Sequence, residues 1–117
     1  MTVIVLPFPP AGLSGHAKGH WRTKAALTKK HREWGRLATL EAKATAPAEG
    51  DIALHVRFVP PHNRGDRTNY PARLKASLDG IADALGVNDR RFIPTFTFAP
   101  AEKPGRVEIT ITPQGAE

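Results

Sequence analysis

Two different periods organise the apolar positions of this chain. Leu74, Leu78, Ile81 and Leu85 recur three or four residues apart, the spacing of a helix that turns one stripe toward a core. Pro71 suits the first turn of that helix, Asn69 or Tyr70 supplies its cap, and Gly86 is placed to end it in a left-handed conformation. Ile52, Leu54, Val56 and Phe58 instead alternate with Ala53, His55, Arg57 and Val59, the period of a half-buried strand, which Pro60 and Pro61 stop. Phe92, Phe96 and Phe98 against Thr95 and Thr97 predict another strand. Val107, Ile109 and Ile111 against Glu108, Thr110 and Thr112 predict one more, and these last two are expected to pair as an antiparallel hairpin. Thr2 to Leu6 is a short apolar strand closed by Pro7. Thr23 to Ala46 reads as a long helix ended by Pro47, with Leu27, Trp34, Leu37, Leu40 and Ala44 as its apolar face. Residues 7–22, rich in Pro and Gly, form an extended loop, and 114–117 a frayed tail. The order β-α-β-α-β-β predicts an α+β two-layer sandwich, one mixed four-stranded sheet carrying two helices, in a single domain spanning 1–117.

Composition narrows this picture in two ways. At 117 residues there is room for one modest core, and no apolar run reaches membrane-spanning length. The absence of cysteine removes disulfides and thiolate metal sites and fits a cytoplasmic setting. Charge is more informative. The net charge of +6 lies wholly in residues 1–46, where eight basic side chains face only Glu33 and Glu41, while the remainder is balanced. A basic helix and loop of this kind is either a solvated face or a surface for a polyanion such as nucleic acid.

The loop before the first helix gathers donors: Ser14, His16, Lys18, His20 and Arg22. It lacks the Gly-Lys-Ser/Thr ending of a phosphate-binding P-loop, and Gly19 argues against a helical His16/His20 metal pair. The carboxylates lie elsewhere. Asp66 precedes the central helix, Asp79 and Asp83 lie on it, Asp89 follows it, and Lys75 sits on its second turn. Mg2+ is commonly held by one or two carboxylates, waters and substrate phosphates, so Asp66 and Asp89 bordered by Lys75 would suit phosphodiester hydrolysis. Asp79 one turn beyond Lys75 also fits a plain helical ion pair, and Asp83 a solvated position. On residues alone, a DNA-directed metal hydrolase and a plain nucleic-acid-binding domain both stand.

Several short motifs fall together in one order: Leu6-Pro7-Phe8-Pro9-Pro10, His20-Trp21-Arg22, Asp66-x-x-Asn69, Leu74-Lys75-x-x-x-Asp79-Gly80, and Asp89 after the helix. In this the chain resembles the RusA family of Holliday junction resolvases, in particular its divergent phage members, over nearly its whole length. The resemblance implies a homodimer that recognises four-way DNA junctions by shape in the bacterial cytoplasm. It implies symmetric cutting of two strands with Mg2+. It also implies that Asp66 and Asp89 hold the metal, that Lys75 is needed for cleavage, and that Asn69 belongs to the site. Lys18, Arg22, Lys24, Lys29, Lys30, Arg90 and Arg91 are then the expected phosphate contacts. The chain departs from the family pattern twice, with Thr68 and Asn88 where carboxylates are usual. Fewer negative charges imply weaker metal affinity, a place for Mn2+, and a role for Asp79 or Asp83 in compensation. They also favour an alternative, a junction-binding protein of the same fold that cuts weakly or not at all. A basic assembly protein with no nucleic-acid role is a third reading.

Overall fold

The computed structural model describes residues 2–13 and 21–112. Four strands, β1 (Thr2–Leu6), β2 (Ile52–Val59), β3 (Phe92–Phe98) and β4 (Arg106–Thr112), form one mixed sheet in the order β1-β4-β2-β3. The helices are α1 (Trp21–Glu41), α2 (Tyr70–Arg73) and α3 (Lys75–Leu85), with single 3-10 turns at Ala11–Leu13, Arg67–Asn69 and Asp89–Arg91. The fold is therefore the α+β sandwich expected, with the expected order of principal elements. Period-two burial decides the layering. Ile4, Leu6, Ile52, Leu54, Val56, Phe58, Val107, Ile109 and Ile111 form one core with Leu74 and Ile81. The alternate residues of the same strands, such as Val3, Val5 and Ala53, lie on the exposed face.

The expected β3–β4 hairpin does not form. β4 runs antiparallel to both β1 and β2, pairing Thr2 with Ile111 and Val56 with Ile109, while β3 runs parallel to β2 on the far edge. The physical reason lies in the two strands themselves. Pro94 lacks an N–H and sits best on an edge, whereas β4 buries its whole inward set and needs neighbours on both sides. After β3 the chain stays against the end of β2 through Ala99 N–H to Phe58 O and Glu102 N–H to Pro60 O, both 2.8 Å, before turning into β4.

The first helix ends sooner, and faces differently, than its leucines imply. Lys43 takes a left-handed φ of 55°, and Lys43 and Ala44 donate to the carbonyls of Leu40 and Thr39. That Schellman closure stops α1 at Glu41, well short of Pro47. The buried face of α1 is His31, Gly35 and Thr39, and Leu37 and Leu40 remain exposed. Burial holds the His31 imidazole below its ordinary pKa, with Lys30 adding to the effect. Small residues win because α1 and α3 press backbone to backbone. A Cβ on Gly80 would collide with the carbonyl of Arg32, and one on Gly35 with that of Ser77. The central helix is also divided, since Leu74 at φ −88°, ψ −9° separates α2 from α3. Gly86, at φ 69°, ends α3 as its sequence position implies. Among the described residues no helix is long and apolar enough to cross a membrane.

Candidate functional site

The two turns that flank α2 and α3 are built alike. Before the helices, Asp66 caps the turn Arg67–Asn69, its Oδ1 accepting from Thr68 N–H at 3.0 Å and from the Thr68 hydroxyl at 2.7 Å. After them, Asn88 caps the turn Asp89–Arg91, its Oδ1 accepting from Arg90 N–H at 2.9 Å. Capping by a short polar side chain is local chemistry, and either Asp or Asn can do it. In the second turn the neutral residue takes that task, so the Asp89 carboxylate is left to face α3.

There it meets Lys75. The Lys75 ammonium donates to Asp79 Oδ1 at 2.9 Å and to Asp89 Oδ2. The lysine is held above its ordinary pKa, first by the Asp89 hydrogen bond and then by that of Asp79. The same Lys75 hydrogen bond is the chief cause that depresses the Asp89 carboxyl. The Asp66 carboxyl is also depressed, by the Thr68 hydroxyl first and the Thr68 N–H second.

Helix docking adds a third acid to this neighbourhood. Because α1 lies so close to α3, Arg32 reaches Asp83 with two hydrogen bonds, Nε to Oδ2 at 2.7 Å and Nη2 to Oδ1 at 2.9 Å. Asp83 is therefore paired, not solvated as its spacing implied, and the Arg32 hydrogen bond is the main cause of its lowered pKa. Arg32, Asp79, Asp83, Asn88 and Asp89 line a pocket of about 210 Å³. Asp66 is not among its lining residues, and among the described residues no hydrogen bond or ion pair joins Asp66 to Lys75 or Asp89. The site residues predicted from sequence are thus divided: Lys75 and Asp89 come together with Asp79, while Asp66 and Asn69 belong to the other turn.

Among the described residues no three carboxylate or imidazole side chains are gathered in a way that could hold a metal ion. Mg2+ does not require such a cage and is often held by one or two carboxylates with waters and phosphates. Asp79 and Asp89, already bridged by a cationic ammonium, are a donor pair that fits this open mode.

The basic residues of α1 lead to the same place. Trp21, Lys24, Thr28, Lys29 and Arg32 line one groove along the helix, and Arg32 borders both this groove and the acidic pocket. Trp21 is 69% exposed, with the Arg22 guanidinium over its ring at 5.3 Å. Lys30 sits over Trp34 at 4.7 Å, which makes Trp34 a half-buried flank of the helix rather than a core residue. Arg90 is exposed beside Asp89. Arg91 is engaged within the fold, donating to the carbonyls of Gly50 at 2.7 Å and Pro47 at 2.6 Å. Lys18, like Ser14, His16 and His20, lies outside the described residues. Sequence reading missed Arg32 as a site residue. Its place at 24, 28, 32 along one helix face was the available signal.

No protein-family model matches the chain. It is 36% identical over 117 residues to a protein of Xylella fastidiosa (strain Temecula1) named only as uncharacterized, an alignment that covers 96% of this chain and 76% of that protein.

Proposed function

The chain belongs to one family with that Xylella fastidiosa protein, and from its site we propose that it is a metal-dependent endodeoxyribonuclease of the RusA resolvase type, acting on four-way DNA junctions in the bacterial cytoplasm. One observation carries the reading: Arg32 joins a basic, tryptophan-headed groove to a pocket containing Asp79, Asp83 and Asp89. Phosphates drawn along α1 by Lys24 and Lys29 would be delivered beside carboxylates. Arg22, Lys30 and Arg90 extend the same positive surface.

Asp79 and Asp89 would hold Mg2+ or Mn2+, which when bound supplies a Lewis acid and a water of lowered pKa. Lys75, cationic throughout the physiological range, stabilises charge developing on the phosphate. Arg32 both orients Asp83 and faces the incoming strand. Asp66 and Asn69 shape the turn that begins the helical segment, with Asp66 Oδ2 the carboxylate oxygen not engaged by Thr68. Two symmetric cuts need two sites, so a twofold dimer belongs to this reading. Exposed Leu37 and Leu40 on α1, and Val3 and Val5 on β1, are apolar surface available for it.

A synthetic four-way junction incubated with Mg2+, with Mn2+ and with chelator tests the proposal. Paired, symmetric, metal-dependent nicks are expected, with Asp89→Asn uncut but still binding. No cleavage with either metal overturns it. A second reading, junction binding without cutting, is favoured by one feature: the carboxylates are already engaged, Asp79 and Asp89 by Lys75 and Asp66 Oδ1 by Thr68. Tight junction binding with no cleavage would select it.

A further inference from the structure

A second cavity, of about 450 Å³, opens on the Asp66 side of the molecule and plays no part in the site above. Its volume falls within the range of small-molecule sites. Phe8 and Tyr70 meet edge to face in its wall, with centroids 5.0 Å apart at 89°, and Pro10 and Pro61 add rigid apolar faces. The ionisable nitrogen groups of the wall are His62, Arg64 and Arg73, and no carboxylate is among the lining residues. Arg73 lies over Tyr70 with its guanidinium carbon 5.2 Å from the ring centroid. Its Nε is shut off from solvent and has no hydrogen-bond partner among the described residues. A buried donor without an acceptor is uncommon in folded proteins, and here it belongs to a side chain that lines a cavity.

The geometry points to a binding site for one nucleotide unit, its base against Phe8 and the prolines, backed by the buried Tyr70, and its phosphate on Arg64 and Arg73. Aromatic faces accept any base, and an arginine fork matches phosphate oxygens in pairs. The choice of a nucleotide over other anionic, planar molecules rests on the nucleic-acid reading proposed above. The unit is supplied either by an unstacked position of a DNA strand or by a free mononucleotide, and the two share this chemistry.

Calorimetric titration of the full chain with dAMP, deoxyadenosine and inorganic phosphate, and with a duplex carrying one bulged nucleotide beside its fully paired counterpart, tests the site. Either dAMP should bind at least tenfold tighter than deoxyadenosine and phosphate, or the bulged duplex at least tenfold tighter than the paired one. The first outcome identifies a free nucleotide as ligand and the second a DNA strand. In either case Arg64→Ala, at an exposed position, and Arg73→Lys, which keeps charge but not the fork, should each weaken binding at least fivefold. Tyr70 and Phe8 ring resonances should shift on binding. Equal affinities within both sets, or binding unchanged in both variants, overturn the proposal. Asp89→Asn lies outside this cavity and separates the two readings: junction cleavage without nucleotide binding defeats this inference alone, and nucleotide binding without cleavage defeats only the nuclease.

Discussion

The turn at Asp66 and the turn at Asp89 use the same local device and end with opposite chemistry. Each is a single 3-10 turn capped by an Asx side chain. At the first, the acid is itself the cap, and Thr68 donates to it twice. At the second, Asn88 is the cap, and the acid one residue later is left to bridge with Lys75 and Asp79. The comparison gives the two neutral residues, Thr68 and Asn88, positive roles. One fixes an aspartate in its turn, and the other releases an aspartate to a pocket.

The largest effect should come from separating the helices, which would dismantle the Asp89 side and spare the Asp66 turn. Gly80→Ala places a methyl against the Arg32 carbonyl and should cost about 3 kcal/mol, read by urea unfolding. An unchanged midpoint would mean that α1 and α3 are less tightly docked than their backbones indicate. Next comes activity. On the proposed nuclease function, Asp89→Asn should lower metal-dependent cleavage about 100-fold, and Asp66→Asn less, because asparagine still caps. The reverse ranking would return Asp66 to the centre of the site.

Titration sharpens the contrast further. Asp89 is depressed chiefly by Lys75, so its contribution to stability is complete above an unfolded-state pKa of about 3.9 and is lost as pH falls through the lower folded value. Lys75 is raised, so its contribution is complete below about 10.4 and lost as pH rises through its folded value. Lys75→Met should move the Asp89 carboxyl up toward its ordinary value in an NMR titration and leave Asp66 in place. Thr68→Val should do the converse. The smallest effect is Asn88→Ala, which removes a cap worth about 1 kcal/mol, visible as a lowered thermal midpoint.

What could be read in the sequence was what local spacing controls. Alternation identified β2, β3 and β4, and a short apolar run identified β1; the inward positions of β1, β2 and β4 are buried, whereas in β3 only Phe92 is. The Lys75–Asp79 pair followed from a spacing of four. Gly86 followed from the need for a left-handed residue after Leu85. What escaped reading depends on contacts between distant segments. Leu37 and Leu40 looked like a core face, yet α1 docks through Gly35 and Thr39 because Gly80 lets its backbone approach. Arg32 and Asp83 are 51 residues apart in the chain. Whether Lys75 also met Asp89 depended on how the chain reverses after Gly86. The β3–β4 hairpin was the default for neighbouring strands, and only Pro94 argued for an edge.

The central place of β4 has a consequence for how the molecule comes into being. On the ribosome, β1 emerges well before β4 and must wait for residues 106–112, its partner in the sheet. Pairings as distant as Thr2 with Ile111 close long loops and slow the folding search. Until then both hydrogen-bonding edges of β1 are open, not only the one that stays open in the finished sheet, and Ile4 and Leu6 are exposed to whatever else is in reach, including another nascent copy.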